Sequence, residues 1–183
     1  MLISRRTFVF AAAATALSRP AFALGLPAGL DLESSFARLT AIREGRGSGT
    51  LHVLFAPWCH ISPSIYADSR TILDRLTIRW IPFSGGQPEG REPTEILLRN
   101  GDPALLSAVF SVPGSRHVPM ATPLCDEQDS AVARLVSPLV IRDTGHVLST
   151  PTLAYRMQDR RVRVIPGGIT RAQFEDIARL VGP

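Results

Sequence analysis

The chain is 183 residues long, with 20 basic and 16 acidic side chains and a formal net charge of +4. Every base is arginine; Arg5, Arg6 and Arg19 fall in the first 23 residues, which leaves the rest of the chain close to neutral. No basic patch is interleaved with aromatics, so the high isoelectric point does not imply a nucleic-acid partner, and the remaining residues suit one domain with a sizeable core.

Residues 1–23 read as an export leader. Ser4-Arg5-Arg6-Thr7-Phe8 is a twin-arginine pattern, residues 9–17 are a short Ala-rich apolar stretch, and Ala21-Phe22-Ala23 is a small-x-small cleavage site. An ordinary secretory signal that carries two arginines by chance is the other reading. The apolar stretch falls short of the ~20 residues needed to span a bilayer, so no stable membrane anchor is expected after cleavage. The expected destination is the periplasm. The twin-arginine route carries folded proteins, so the thiols would enter an oxidising compartment still reduced.

Residues 24–29 form an entry segment. Leu32, Phe36, Leu39 and Ile42 recur at helical spacing across 31–44, with Asp31 as a candidate N-cap. A turn at 45–49 precedes a near-continuous apolar run at 51–55, the pattern of a strand buried on both faces. A helix is predicted from Ser62 or Pro63 to about Leu76, with Ile65, Tyr66, Ile72, Leu73 and Leu76 available to pack. A second strand is predicted at 77–83. Residues 84–92 are a Gly/Pro loop, 93–100 and 103–110 two short helices separated by Gly101, and 113–124 irregular. A helix over 126–140 is bent or ended by Pro138. Strands at 152–157 and 161–165 flank a turn, and a last helix over 170–181 has Thr170 as N-cap and Phe174, Ile177, Leu180 and Val181 inward. This alternation argues for an α/β sheet covered on its faces. The four histidines, His52, His60, His117 and His146, pair at no ligand spacing. Neither a metal nor any other cofactor is expected.

The chemistry concentrates at two segments. The first strand leads into Ala56-Pro57-Trp58-Cys59-His60-Ile61-Ser62-Pro63, and about 90 residues later Ser149-Thr150-Pro151-Thr152 opens another apolar run. A thiol attacks as its thiolate, and a helix N-terminus, with unpaired N–H groups and the positive end of its dipole, favours that form. Cys59 lies between a predicted buried strand and a predicted helix start. Read alone, a cysteine is as readily a buried, inert residue; the strand–Trp-Cys-x-x-Ser/Pro–helix context favours a functional thiol. Trp58 can wall one side of the sulfur or simply pack. His60, partly protonated, would add positive charge; equally, it is a solvent-facing variable position. Cys125, the only other cysteine, sits in a plain context and reads as structural or incidental. A Thr150–Pro151 cis bond would turn Thr150 backbone groups towards a substrate chain beside the sulfur; an ordinary trans proline at a strand start is the alternative.

The segment from Phe55 to Ser62, the helical insertion and Ser149–Thr152 together resemble the thioredoxin-fold catalytic domain of periplasmic thiol:disulfide interchange proteins of the DsbC/DsbG type. The resemblance covers roughly 51–181. It implies a thioredoxin-like α/β fold: a central mixed sheet flanked by helices, with a helical insertion at about 84–148 before the cis-Pro strand. The implied organisation is a leader at 1–23, an N-terminal helix and linker at 24–49, and the thioredoxin-like domain at 50–183. By the resemblance Cys59 is the nucleophile, Ser62 stands where the resolving cysteine would be, and Thr150-Pro151 is the cis-proline loop, with Trp58 and His60 beside the substrate. The implied partners are protein or small-molecule disulfides and a membrane thiol reductase. Two features depart from that type: the resolving cysteine is absent, and about 27 residues precede the first predicted strand after the leader, too few for the usual dimerisation domain.

With one thiol in the motif, Cys59 can attack a disulfide or a sulfenic acid and form a mixed disulfide, but release needs a second thiol from the substrate, from a small thiol or from Cys125. Such a site suits isomerisation, deglutathionylation or covalent holding of a partner. A second reading is a non-enzymatic binding or chaperone module with a vestigial Cys59. A peroxidase-like thiol enzyme is a third, without a convincing peroxide-activating arginine.

Overall fold

The computed structural model describes residues 31–111 and 121–182. The expected leader with Arg5 and Arg6, the entry segment and His117 lie outside them. Helix α1 spans Leu32–Ala37, and Asp31 caps it as expected: its carboxylate accepts the Ser34 N–H at 2.7 Å, and Ser34 Oγ accepts the Asp31 N–H at 3.3 Å. The helix is shorter than the spacing predicted. After Leu39 the chain reverses, and Ile42 belongs to a three-residue strand, β1 (Ile42–Glu44), not to the helix. Leu32, Phe36, Leu39 and Ile42 are all buried. The i, i+4, i+7 spacing therefore marked the buried positions correctly although the last of them sits in an extended segment.

The remaining strands are β2 (Gly49–Phe55), β3 (Leu76–Pro82), β4 (Thr152–Arg156) and β5 (Val162–Pro166). They form one mixed sheet in the order β1-β3-β2-β4-β5, with β2 parallel to β3 and every other pairing antiparallel. The apolar run in β2 has its explanation here, because β2 is the central strand and both of its faces are covered. Side chains alternate across a strand: Leu51, Val53 and Phe55 enter one core layer with Ile65, Trp80 and Phe174, while Leu54 enters the other with Phe36, Ile81 and Leu139.

Helix α2 spans Ser62–Ser69 and tightens into a 3₁₀ turn at Arg70–Ile72. It ends earlier than expected, since Leu76 already opens β3. The insertion between β3 and β4 holds α3 (Pro88–Asn100), α4 (Ala104–Ser111), α5 (Pro123–Ala131) and α6 (Ser137–Thr144). Helix α3 begins five residues before the predicted start: Pro88 suits a first helical turn, whose N–H groups have no partner in the helix, and Pro93 falls inside. Gly101 closes it in the left-handed conformation (φ 61°), as a breaker should. The predicted bend at Pro138 is a π-helical segment, Val132–Val136, between α5 and α6. A proline removes an N–H and its ring crowds the preceding turn, and a widened turn accommodates both. Helix α7 (Arg171–Leu180) carries the Thr170 cap with Gln173 reciprocating. Phe174 and Ile177 face inward as predicted, but Leu180 does not: it is 48% exposed, because the helix ends there and Val181 takes the inward place by bridging to Met157.

Candidate functional site

The carboxyl end of β2 delivers Trp58 and Cys59 to the start of α2. The Cys59 N–H donates to the Ala56 carbonyl and the Ser62 N–H to the Cys59 carbonyl, each at 3.0 Å, so two consecutive turns join strand to helix. Helix α2 has no side-chain cap, unlike α1 and α7. Its first amides are met by backbone carbonyls instead: the Ser64 N–H donates to the Ile61 carbonyl at 3.1 Å, and Pro63 has no N–H.

The Cys59 thiol donates to the Thr150 carbonyl at 3.3 Å, across 91 positions of sequence. The Thr150–Pro151 bond is cis. Pro151 is buried, its carbonyl accepts the Gly167 N–H at 2.7 Å, and Thr152 Oγ1 donates to the Ser149 carbonyl at 2.5 Å. The loop after β5 completes the surround. A Cβ on Gly168 would stand 2.7 Å from Ile61 Cγ2, so only glycine lets the loop pass this close to the start of α2.

Trp58 is 42% exposed yet fixed. Its indole N–H donates to the Ser84 carbonyl at 2.7 Å, and a Cβ on Gly90 of α3 would lie 2.6 Å from its Cδ1. Ser84 is held in turn by Asp129 of α5, which accepts the Ser84 N–H at 2.8 Å, the Gly86 N–H at 3.2 Å and the Ser84 hydroxyl.

Thus the fold brings Trp58, Cys59, Thr150 and Pro151 together. Ser62 is fully buried, three positions after Cys59, and its hydroxyl has no hydrogen-bond partner. His60 is exposed and bonded to no other described residue. Cys59 and Cys125 are both free thiols, and Cys59 is 5% exposed. Cys125 is buried in α5, its N–H donating to Glu95 at 2.9 Å. Burial pushes its thiol up, and the Ser84 side chain opposes the rise only in part. Sequence reasoning missed Ser84, Gly90, Asp129 and Gly168. The two glycines carried a weak signal, as glycines in or beside a loop; nothing in the sequence marked Asp129.

Among the described residues no helix is long and apolar enough to cross a membrane. No protein-family model and no curated protein matches the chain. Solved structures do match. A periplasmic thioredoxin-like protein from Salmonella enterica serovar Typhimurium aligns at 12% identity over 81% of this chain and 94% of its own, with a TM-score of 0.61. A thioredoxin-like oxidoreductase from Silicibacter pomeroyi aligns at 15% identity over 82% and 96%, with a TM-score of 0.54. The thiol-disulfide exchange protein alpha-DsbA2 from Wolbachia pipientis aligns at 12% identity over 80% and 90%, with a TM-score of 0.50. At these identities the likeness is one of architecture, and with the five-stranded mixed sheet and its flanking helices it establishes that the chain has a thioredoxin-like fold.

Proposed function

We propose that this chain is an exported, periplasmic thiol:disulfide exchange protein of the DsbC/DsbG type, isomerase or monothiol reductase in character, acting through Cys59 alone. The observation that carries the reading is the Cys59 thiol resting on the Thr150 carbonyl, between the end of a buried strand and an uncapped helix start. The names of the Silicibacter and Wolbachia proteins, an oxidoreductase and a thiol-disulfide exchange protein, agree with it.

The chemistry follows from a single sulfur. Cys59 gives up its proton and its thiolate attacks one sulfur of a substrate disulfide; a Cys59–substrate S–S bond forms as the substrate S–S bond breaks, and the departing sulfur takes a proton. Attack by a second thiolate on the substrate sulfur of the mixed disulfide frees Cys59. When that thiolate belongs to the same substrate, no net electrons move and the reaction is an isomerisation. When a small thiol or a membrane thiol reductase instead attacks the Cys59 sulfur, the substrate leaves as a thiol; a second thiol from the same source then attacks the donor sulfur, frees Cys59 and closes the donor's own disulfide, so the substrate gains two electrons and the donor loses them. Thr150, Pro151, Trp58 and His60 are the residues assigned to contact the substrate chain. Ser62 fills the resolving position without a sulfur, and buried Cys125 is a poor source of the second thiol.

The test is exchange itself. The protein should reshuffle a scrambled disulfide protein in a glutathione buffer, and Cys59→Ser should abolish this while circular dichroism and thermal unfolding stay unchanged. Undiminished exchange in that variant would sink the proposal. The near-complete burial of Cys59 favours a second reading, a thioredoxin-fold binding or chaperone module with an unused thiol. Alkylation separates the two: rapid reaction of Cys59 with iodoacetamide at pH 6 supports exchange, and an ordinary slow thiol rate supports the binding module.

A further inference from the structure

A row of bases crosses the sheet away from Cys59. Arg43 of β1 pairs in register with Arg79 of β3, and Arg79 pairs in register with His52 of β2. Alternation puts all three side chains on the α1 face, since their neighbours Ile42, Ile78, Trp80, Leu51 and Val53 enter the opposite core layer. Like charges directly opposite one another on adjacent strands destabilise a sheet, so the row needs compensation.

Only part of it is supplied by the chain. Arg79 donates to the carbonyls of Phe36 (3.2 Å), Ala37 (3.2 Å) and Leu39 (2.8 Å) at the end of α1. Its Nη1 also lies 3.3 Å from His52 Nδ1. Arginine can only donate, so Nδ1 accepts and the neutral ring carries its proton on Nε2. The Arg43 side chain is exposed and bonds to no other described side chain. Among the described residues Glu33 is the one acid in the wall of this region, and its carboxylate forms an ion pair with Arg156.

These groups line a cavity of about 380 Å³ that opens to solvent, with Thr50 adding a hydroxyl and Ala37 and Ala41 leaving room through their small side chains. Its volume is at the small end of ligand clefts, which run from ~300 to ~1,000 Å³. His52 is 2% exposed. Burial, with Arg79 and Arg43 adding to it, lowers His52 to about 4. The ring is therefore neutral at pH 7, a hydrogen-bonding group rather than a third cation.

We propose that this cavity binds a small organic oxyanion, carried on a carboxylate or a phosphate group, between Arg43, Arg79, Thr50 and His52. Arg43 supplies the uncompensated charge, Arg79 a charge fixed in place by the α1 carbonyls, and Thr50 and His52 neutral hydrogen bonds. The site lies at the opposite end of β2 from Cys59 and rests on nothing assigned to the thiol.

The experiment follows the His52 ring resonances by NMR at pH 7 as inorganic phosphate, succinate or, at matched ionic strength, sodium chloride is added to the protein. Phosphate, succinate or both should shift them saturably, and the arm that does so identifies the group recognised; chloride should not. Arg43→Gln, an exposed change on an edge strand, should weaken binding at least tenfold, and Thr50→Val should weaken it by a smaller factor. The proposal is overturned if neither oxyanion gives a saturable shift, if chloride matches them, or if Arg43→Gln leaves the affinity unchanged.

Discussion

Replacing Ser62 by cysteine tests the geometry of the thiol site and its energetics together. The Ser62 N–H donates to the Cys59 carbonyl at 3.0 Å, which closes a turn with terminal Cα atoms less than about 7 Å apart. A disulfide spans about 4.4–6.8 Å between Cα atoms, so the variant can form one without moving the backbone. In the reduced state the change removes a buried hydroxyl that has no partner. Such a group costs about 1–3 kcal/mol, and a thiol behaves as a small hydrophobe. We expect reduced Ser62→Cys to be more stable than the parent by about 1 kcal/mol, a rise in Tm of roughly 2–4 °C for a chain of this size. Closing the 59–62 loop should add up to about 2 kcal/mol by the chain-entropy relation. The assays are thermal unfolding in reductant and equilibration against a series of glutathione ratios with thiol trapping. A reversible intramolecular disulfide and a stabilised reduced form are the expected results. If no disulfide forms at any ratio while Cys59 still alkylates, residues 59 and 62 do not share this turn. If the reduced variant loses more than 1 kcal/mol, the Ser62 hydroxyl has a partner and the reasoning fails.

His52 should make stability depend on pH: with a folded-state value of about 4 against an ordinary 6.5, the unfolded chain binds the extra proton between those limits. Stability is then lost as pH falls through that window, by on the order of 3 kcal/mol in full, and His52→Gln should flatten this limb of a urea-unfolding series; an unchanged slope would show that another group is responsible. Gly90→Ala sets two effects against each other. Alanine gains up to about 1 kcal/mol of helix propensity, but its Cβ would meet Trp58 at 2.6 Å, and overpacking costs about 1–3 kcal/mol. A net loss of stability and an altered Trp58 emission spectrum are expected; a more stable variant with unchanged fluorescence would show that the indole is not held there.

The two segments that carried the chemistry were legible because each is local. A buried run ending at Trp58-Cys59 announces a strand meeting a helix, and Thr150-Pro151 opens the next strand. The structure adds what local pattern does not encode, their meeting at 3.3 Å. Ile42 shows the same limit from the other side: its burial was readable from spacing, but its conformation was not, because pairing with Trp80 of β3 decided it. The start of α3 was misplaced because Pro88 read as part of a Gly/Pro loop and Pro93 as the helix start, whereas Pro88 serves the start and Pro93 is tolerated inside. The Arg43–Arg79–His52 row was invisible for a related reason. Its members come from three strands, and cross-strand register leaves no trace in any one of them.

Ser84 faces two ways: its carbonyl takes the Trp58 indole, while its N–H and hydroxyl go to Asp129 in the insertion. The insertion is therefore not a detachable module. Exchanging it for the corresponding segment of another protein of this fold would carry over helices of the right length, yet leave Trp58 unsupported unless the donor also had an acid where Asp129 stands. Any chimera built on this chain has to treat residues 58, 84, 90 and 129 as one unit of inheritance, although 71 positions separate the first from the last.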